Sequence, residues 1–287
     1  TPLSPLNFNG VIPSGKISSS FSNKVKGVEK EKDFDENLPQ RKVIPFKDRT
    51  GPHSFPAGTK AGNFFHEVFE NIDFSADNFK EIISRLLPVH GLHESNQETA
   101  EEIVTSTLEA NLDKHQGDSL RLCELTHKDR IEEMEFHLQS SDFDFQELGH
   151  ILLKVEPENS FAEYLMDKKV QPEKTSELQY FKGFIDLTFK YDQKFFILDW
   201  KSNLLEGNQD SFSSPKLFLE MKEADYLLQY HLYTLALHRF LSQSNNSDYD
   251  YDHCFGGVYY LFIRGMCQGN NPDDGIFFDR PSKSIIQ

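Results

Sequence analysis

Gly183-Phe-Ile-Asp-Leu-Thr-Phe-Lys-Tyr-Asp-Gln-Lys-Phe-Phe-Ile-Leu-Asp-Trp-Lys-Ser-Asn203 is the stretch on which the fold turns. Two runs rich in aromatic and branched residues flank a short polar break at Asp192-Gln193, the pattern of a β-hairpin. Closed by a two-residue loop, the hairpin sets Asp186 opposite Asp199. Successive side chains point to opposite faces of a strand. Alternation therefore puts Ile185, Leu187, Phe189, Phe196, Leu198 and Trp200 on one apolar face. Asp186, Asp199 and Lys201 fall on the other. Two carboxylates facing each other across a strand pair repel, and a divalent cation between them turns the repulsion into coordination. A surface Asp-x-Lys ion pair is the plainer reading of half this pattern, worth only about 0–1 kcal/mol. The second aspartate in register and the apolar backs of both strands weigh toward the cation.

Composition bounds the rest. The 287-residue chain carries 46 Asp and Glu against 30 Lys and Arg, a formal net charge of −16. Residues 1–50 hold nine Lys and Arg and six Asp and Glu, so the imbalance lies in the remainder. Nucleic-acid binders normally neutralise phosphates with a basic stripe. An acidic domain needs divalent ions at its site, or a partner that presents the strand. There is no apolar run of membrane-spanning length and no signal-peptide pattern at the start. Cys123, Cys254 and Cys267 form no C-x-x-C pair, which suggests neither a disulfide framework nor a zinc site. A cytoplasmic setting fits. No G-x-x-x-x-G-K-[ST] loop occurs, so ATP hydrolysis is not expected of this chain.

Residues 1–53 read as an irregular linker, with a Ser-rich patch at Ser18–Ser22, a charged run from Lys24 to Glu36 and recurrent prolines. A start at Thr1 without methionine suggests a fragment. If this tail docks locally, Ile44, Pro45 and Phe46 are the expected anchors. Residues 54–287 read as one folded domain. Helices are expected at Thr59–Asn71, Asp77–Leu87, Asn96–Leu112 and Phe143–Val155, a strand at Arg130–Leu138, and one long helix from about Leu217 to Leu241. Asp210–Pro215 reads as a polar loop, Cys254–Ile263 as a buried strand, and the end as a Pro/Gly/Asp loop. Helices around a central mixed sheet make this α/β, with an additional helical region N-terminal to the sheet.

These residues also carry a resemblance. Asp186 followed by Asp199-Trp-Lys201 matches the D…(D/E)-x-K pattern of the restriction-endonuclease-like, or PD-(D/E)XK, nuclease superfamily. Four further blocks narrow it: Phe55-Pro-Ala-Gly-Thr-Lys-Ala-Gly-Asn-Phe-Phe-His-Glu-Val-Phe-Glu70, Phe181-Lys-Gly-Phe-Ile-Asp186, Tyr226-Leu-Leu-Gln-Tyr-His-Leu-Tyr-Thr-Leu-Ala-Leu-His-Arg-Phe-Leu241 and Phe255-Gly-Gly-Val-Tyr-Tyr-Leu-Phe-Ile-Arg-Gly265. Together with Ile197–Asn203, and in this order from about Ser54 onward, they resemble the RecB-type nuclease domains of RecBCD helicase–nucleases.

The resemblance implies a restriction-endonuclease-like sheet and a metal-dependent deoxyribonuclease of exodeoxyribonuclease V type, using Mg²⁺ with Mn²⁺ as a substitute. It implies metal ligation by His66, Asp186, Asp199 and the backbone carbonyl of Trp200, and catalysis by Asp199 and Lys201. His66 alone would read as a core-edge histidine or a partner of Glu70. Gln229 and Tyr233, one helical turn apart, read as ordinary packing; the family's Q-x-x-x-Y motif places them beside the site, against DNA or ordering Lys201. Glu135 is the expected acidic residue of the first core strand, although a solvated face fits it equally well. Arg264 reads as a phosphate contact or a cap, and Tyr259 and Tyr260 as core. The implied partners are single-stranded DNA in double-strand-break repair, the helicase part of the same polypeptide, RecC- and RecD-like subunits and a recombinase. Two alternatives stand: an AddAB-type sibling, which often carries an iron–sulfur cysteine set missing here, and a non-catalytic module that recruits a recombinase.

Overall fold

The computed structural model describes residues 44–76, 79–112, 119–140, 144–168, 179–206, 208–243, 249–266 and 271–287. The Ser-rich patch and charged run of the expected linker fall outside these residues, as does Cys267. Five strands form one sheet in the order β1 (Arg130–Ser140), β2 (Gln179–Tyr191), β3 (Lys194–Lys201), β4 (Phe255–Phe262) and β5 (Ile276–Asp279). The expected hairpin is β2–β3. Tyr191 pairs with Lys194, and Asp192 and Gln193 both take positive φ, 43° and 63°. Such a turn matches the right-handed twist of the strands it joins. β3 and β4 run parallel, while β1–β2 and β4–β5 are antiparallel.

Helices cover both faces. On one lie α1 (Thr59–Asn71), α2 (Phe79–Val89) and α3 (Gln97–Glu109), packed on Leu187, Phe189, Phe196, Leu198 and Trp200. On the other lie α4 (Phe145–Val155), α5 (Ser160–Asp167), α6 (Ser214–Glu223) and α7 (Tyr226–Gln243), packed on Phe136, Ile185, Phe195, Ile197 and Tyr260. The hairpin thus has no open polar face. β3 is buried from Phe195 to Trp200 because it is central to a sheet covered on both sides.

Several expectations are corrected. The long helix is two, α6 and α7, separated at Asp225, whose φ of +63° ends the helical ladder. The Asp225 carboxylate accepts from Tyr164 (2.8 Å) and Lys168 (2.5 Å), which fix the bend. α5 and β5 were not expected. Ile185 faces the α4–α7 core, not the face of Leu187. Phe46 is 62% exposed and anchors nothing in the core; the tie at that end is the Ile44 N–H, which donates to the Glu206 carbonyl. Arg264, fully buried, contacts no open surface. It donates to the carbonyls of Ser202, Pro52, Phe55 and Pro56, binding the entry to α1 onto the end of β3. Tyr259 and Tyr260 are core residues.

The β3–β4 register slips by one residue at Gly256, so Phe195 faces Phe255 while Phe196 faces Gly257. A Cβ on Gly256 would lie 2.2 Å from the Phe196 ring. Overpacking of this kind costs about 1–3 kcal/mol. Gly256→Ala is expected to lower the melting temperature by about 2–4 °C for each kcal/mol, measured by calorimetry; an unchanged midpoint would mean that the ring moves aside freely.

Candidate active site

The side-chain alternation of both β1 and β2 reverses at one point. On β1, Arg130 reaches across to the α1–α2 side, donating to the Ile72 carbonyl and lying 3.5 Å above the Phe74 ring. Phe136 and Leu138, an even number of residues on, belong to the opposite core. On β2, Leu187 and Phe189 pack on the α1 side and Ile185 on the other. The cross-strand pairing runs Glu132–Leu187 and Met134–Ile185, so the reversal falls at Glu133 and Asp186 between them. Glu133 has φ +48°, a left-handed conformation that costs an ordinary residue on the order of 1–2 kcal/mol. Strain of this kind persists where the surroundings enforce it, and it gathers at functional sites.

The reversal brings two carboxylates to the helix that carries His66. Ligand atoms of His66, Glu133 and Asp186 all lie within 4.8 Å of one another, with His66 Nδ1 3.5 Å from Asp186 Oδ1. All three are half-buried. The second Asp186 oxygen accepts the Trp200 N–H at 2.8 Å. Continuing the hairpin register by one step from Leu187–Leu198 sets Asp199 opposite Asp186. Asp199 is not one of the three clustered donors; it is 2% exposed and paired with Lys201 Nζ at 2.6 Å. The Trp200 side chain points away from the acids and stacks on Phe69 of α1, with ring centres 4.0 Å apart and planes 12° from parallel. That stack fixes α1, and His66 with it, against the strand carrying Asp199 and Lys201.

On the opposite side α7 meets Lys201. Lys201 Nζ lies 3.5 Å from Gln229 Oε1, which also accepts from the Tyr260 hydroxyl at 2.8 Å. Gln229 Nε2 donates to the Tyr233 hydroxyl at 2.9 Å. The structure therefore brings His66, Asp186, Asp199, Trp200, Lys201, Gln229 and Tyr233 into one region. Glu135 is not there. It is exposed and paired with Lys182 (3.1 Å) and His137 (2.7 Å), and the acid that β1 supplies is Glu133. Plain alternation places Glu133 and Glu135 on the same face, and only the left-handed turn of the strand separates them.

Charge crowding shows in the protonation equilibria. Burial, with Asp186 nearby, pushes Glu133 up from 4.5 to about 7. Burial and Asp186 likewise push Asp199 up from 3.8 to about 6, against the pull of Lys201. Burial opposes the charged form of His66, but Asp186 overrides it and the ring rises from 6.5 to about 9. Asp186 goes the other way. Burial would raise it, yet the His66 charge, Lys201 and the Trp200 N–H together hold it below the ordinary range.

The model of the PD-(D/E)XK nuclease superfamily matches residues 45–274. The chain is similar to the RecBCD enzyme subunit RecB of Escherichia coli strain K12, 33% identical over 236 residues that cover 82% of this chain and 19% of that protein. It is 35% identical to the Haemophilus influenzae subunit of that name over 232 residues, covering 80% and 18%. The corresponding Borreliella burgdorferi protein is 30% identical over 250 residues, covering 79% and 19%. The chain spans about a fifth of the length of these relatives.

An acid whose pKa is higher folded than unfolded binds more protons in the folded state, so stability falls as pH rises between the two values. For Asp199 and Glu133 that window runs from about 4 to 7. The raised His66 extends the fall, since its contribution is complete below 6.5 and lost through about 9. The depressed Asp186 acts below this window, contributing stability that is lost as pH falls through its folded value. His231, lowered to about 3 by burial, acts in the opposite sense below pH 6.5, so the test is a difference between variants. Melting temperatures in chelator are expected to fall more, or rise less, from pH 5 to pH 8 in the wild type than in Glu133→Gln. Saturating Mg²⁺ is expected to shrink that difference; identical pH dependence in the two would contradict this.

Proposed function

The chain belongs to the PD-(D/E)XK nuclease superfamily, and from that premise we propose that it cleaves DNA phosphodiester bonds as a Mg²⁺-dependent nuclease domain of RecB type. The carrying observation is the convergence of His66, Glu133 and Asp186 from three separate elements beside the Asp199–Lys201 pair. Two carboxylates and an imidazole suit a divalent cation. The oxygens favour Mg²⁺, and the nitrogen admits Mn²⁺ as well. When bound, such a cation offsets charge on the scissile phosphate and acidifies a water molecule.

His66, Glu133 and Asp186 would hold the ion, and Asp199 and the Trp200 carbonyl would complete the protein's donors. Asp199 also aligns Lys201. The Lys201 ammonium stands where negative charge accumulates on the phosphoryl oxygens during displacement, and charge stabilisation at that point is the largest contribution one side chain makes. Gln229 and Tyr233 keep Lys201 in place. The acidic balance of the domain supports delivery of the substrate by other parts of the machine. We therefore assign single strands produced by DNA unwinding as the substrate, with a motor domain in the same polypeptide and RecC- and RecD-like subunits as partners, in the cytoplasm. Residues 1–53 serve as the tether to that motor, and 54–287 as the nuclease domain. No helix of the described residues is long and apolar enough to cross a membrane.

Cleavage of linear and circular single-stranded DNA at low salt with Mg²⁺ or Mn²⁺ tests the reading. Asp186→Ala and Lys201→Ala are each expected to lose about 10²-fold or more in rate, while Glu135→Gln cleaves as the wild type does. Metal-dependent cutting that survives both alanine variants would move the chemistry away from this cluster.

A further inference from the structure

Besides Asp199, with which it pairs, and Asp186, whose charge also acts on it, Lys201 is surrounded by three uncharged groups. Its Nζ lies 4.2 Å from the centre of the Tyr226 ring, 5.2 Å from that of Tyr260 and 3.5 Å from Gln229 Oε1. Tyr226 is 3% exposed, so a DNA base has no access to its ring. The ring is held on several sides. It packs against Tyr260 and Phe262, with ring centres 5.6 and 6.4 Å apart. Its hydroxyl accepts from Asn203 Nδ2 at 3.3 Å, and the same amide donates to Glu220 Oε1, also at 3.3 Å. Asn203 follows Lys201 by two residues, while Glu220 and Tyr226 stand on either side of the bend at Asp225.

We propose that Tyr226 is a positioning residue whose ring face seats the Lys201 ammonium for phosphate, a role that rests on the nuclease reading above. A lysine that stabilises an accumulating negative charge needs a partner that holds it without neutralising it. Asp199 alone is a poor seat, because a carboxylate shared with a divalent cation releases part of its grip on the ammonium. An aromatic face attracts a cation through its quadrupole and leaves the full charge available to substrate. Gln229 Oε1 adds one uncharged acceptor from the side. The Asn203–Glu220 pair keeps the ring from turning.

The test replaces residue 226 in the 287-residue chain by phenylalanine and by its 4-fluoro, 3,5-difluoro and 3,4,5-trifluoro analogues, which keep the ring's shape while draining its negative face. Steady-state cleavage of a single-stranded oligodeoxynucleotide with Mn²⁺ is read as kcat and KM separately. Tyr226→Phe is expected to recover most of the wild-type kcat. Each added fluorine is expected to lower kcat, on the order of tenfold across the series, with KM unchanged. Tyr226→Leu is expected to fall at least as far. An independent readout is the ε-methylene resonance of Lys201 in lysine-labelled protein, identified by its loss in Lys201→Ala. It is expected upfield in the wild type and in Tyr226→Phe, and at the ordinary lysine position in Tyr226→Leu. A level kcat along the fluorinated series, or a change confined to KM, overturns the role of Tyr226 while leaving the nuclease reading intact. A wild-type chain that cuts no DNA with any metal overturns both.

Discussion

Like charges held close together inside a covered sheet are the constraint on which the rest of this structure depends. Glu133, Asp186 and Asp199 crowd one point between two apolar cores, where burial and the Asp186 charge suppress ionisation of the other two. Burying a carboxylate costs several kcal/mol unless charge and hydrogen bonds compensate. The fold supplies part of that compensation from the chain itself. His66 answers Asp186 from α1, Lys201 answers Asp199 from the same strand, and the Trp200 N–H takes the remaining Asp186 oxygen. Much of what surrounds the site serves to keep these partners where they are. The Phe69–Trp200 stack ties α1 to β3, and Arg264 ties the segment entering α1 to the residue after Lys201.

The same constraint accounts for the irregular backbone. A regular β1–β2 pair would send Glu133 and Glu135 to one face and keep Ile185 beside Leu187. The left-handed Glu133 breaks that rule and turns both strands over at one pair. The bend at Asp225 acts in a comparable way on the far side. It starts α7 afresh, so that Tyr226 and Gln229 meet Lys201 along one face, with Tyr233 accepting from Gln229 behind them. Both irregularities use acidic residues at positive φ. Asp225 is steadied there by Tyr164 and Lys168.

Much of this was legible in the sequence, for identifiable reasons. The hairpin announced itself through alternation and a polar two-residue break, and its register carried Asp186 to Asp199. α1 matched its apolar stripe to the residue at both ends. What escaped had no local signal or a misleading one. Nothing in Glu132-Glu-Met-Glu135 marks which glutamate departs from the pleat, and the resemblance alone pointed to Glu135. The apolar pattern runs unbroken through Asp225, which hid the end of α6. β5 is four residues long and follows Asp273-Asp274-Gly275, a run that reads as a turn. α5 did carry a cap, Asn159 accepting from the Ala162 N–H, but eight residues gave too little periodicity to use it. Tyr226 carried no signal of its own, because an apolar pattern says nothing about which charge a ring covers.

Binding of Mn²⁺ followed by electron paramagnetic resonance, with nitrogen modulation recorded on the bound ion, examines the convergence of His66, Glu133 and Asp186 without relying on catalysis. One tight site is expected, with a nitrogen signal that disappears in His66→Ala. Glu133→Gln is expected to weaken it by about tenfold or more, and Glu135→Gln to leave it unchanged. Binding that ignores Glu133 and responds to Glu135, or an ion without a nitrogen neighbour, would contradict the site described.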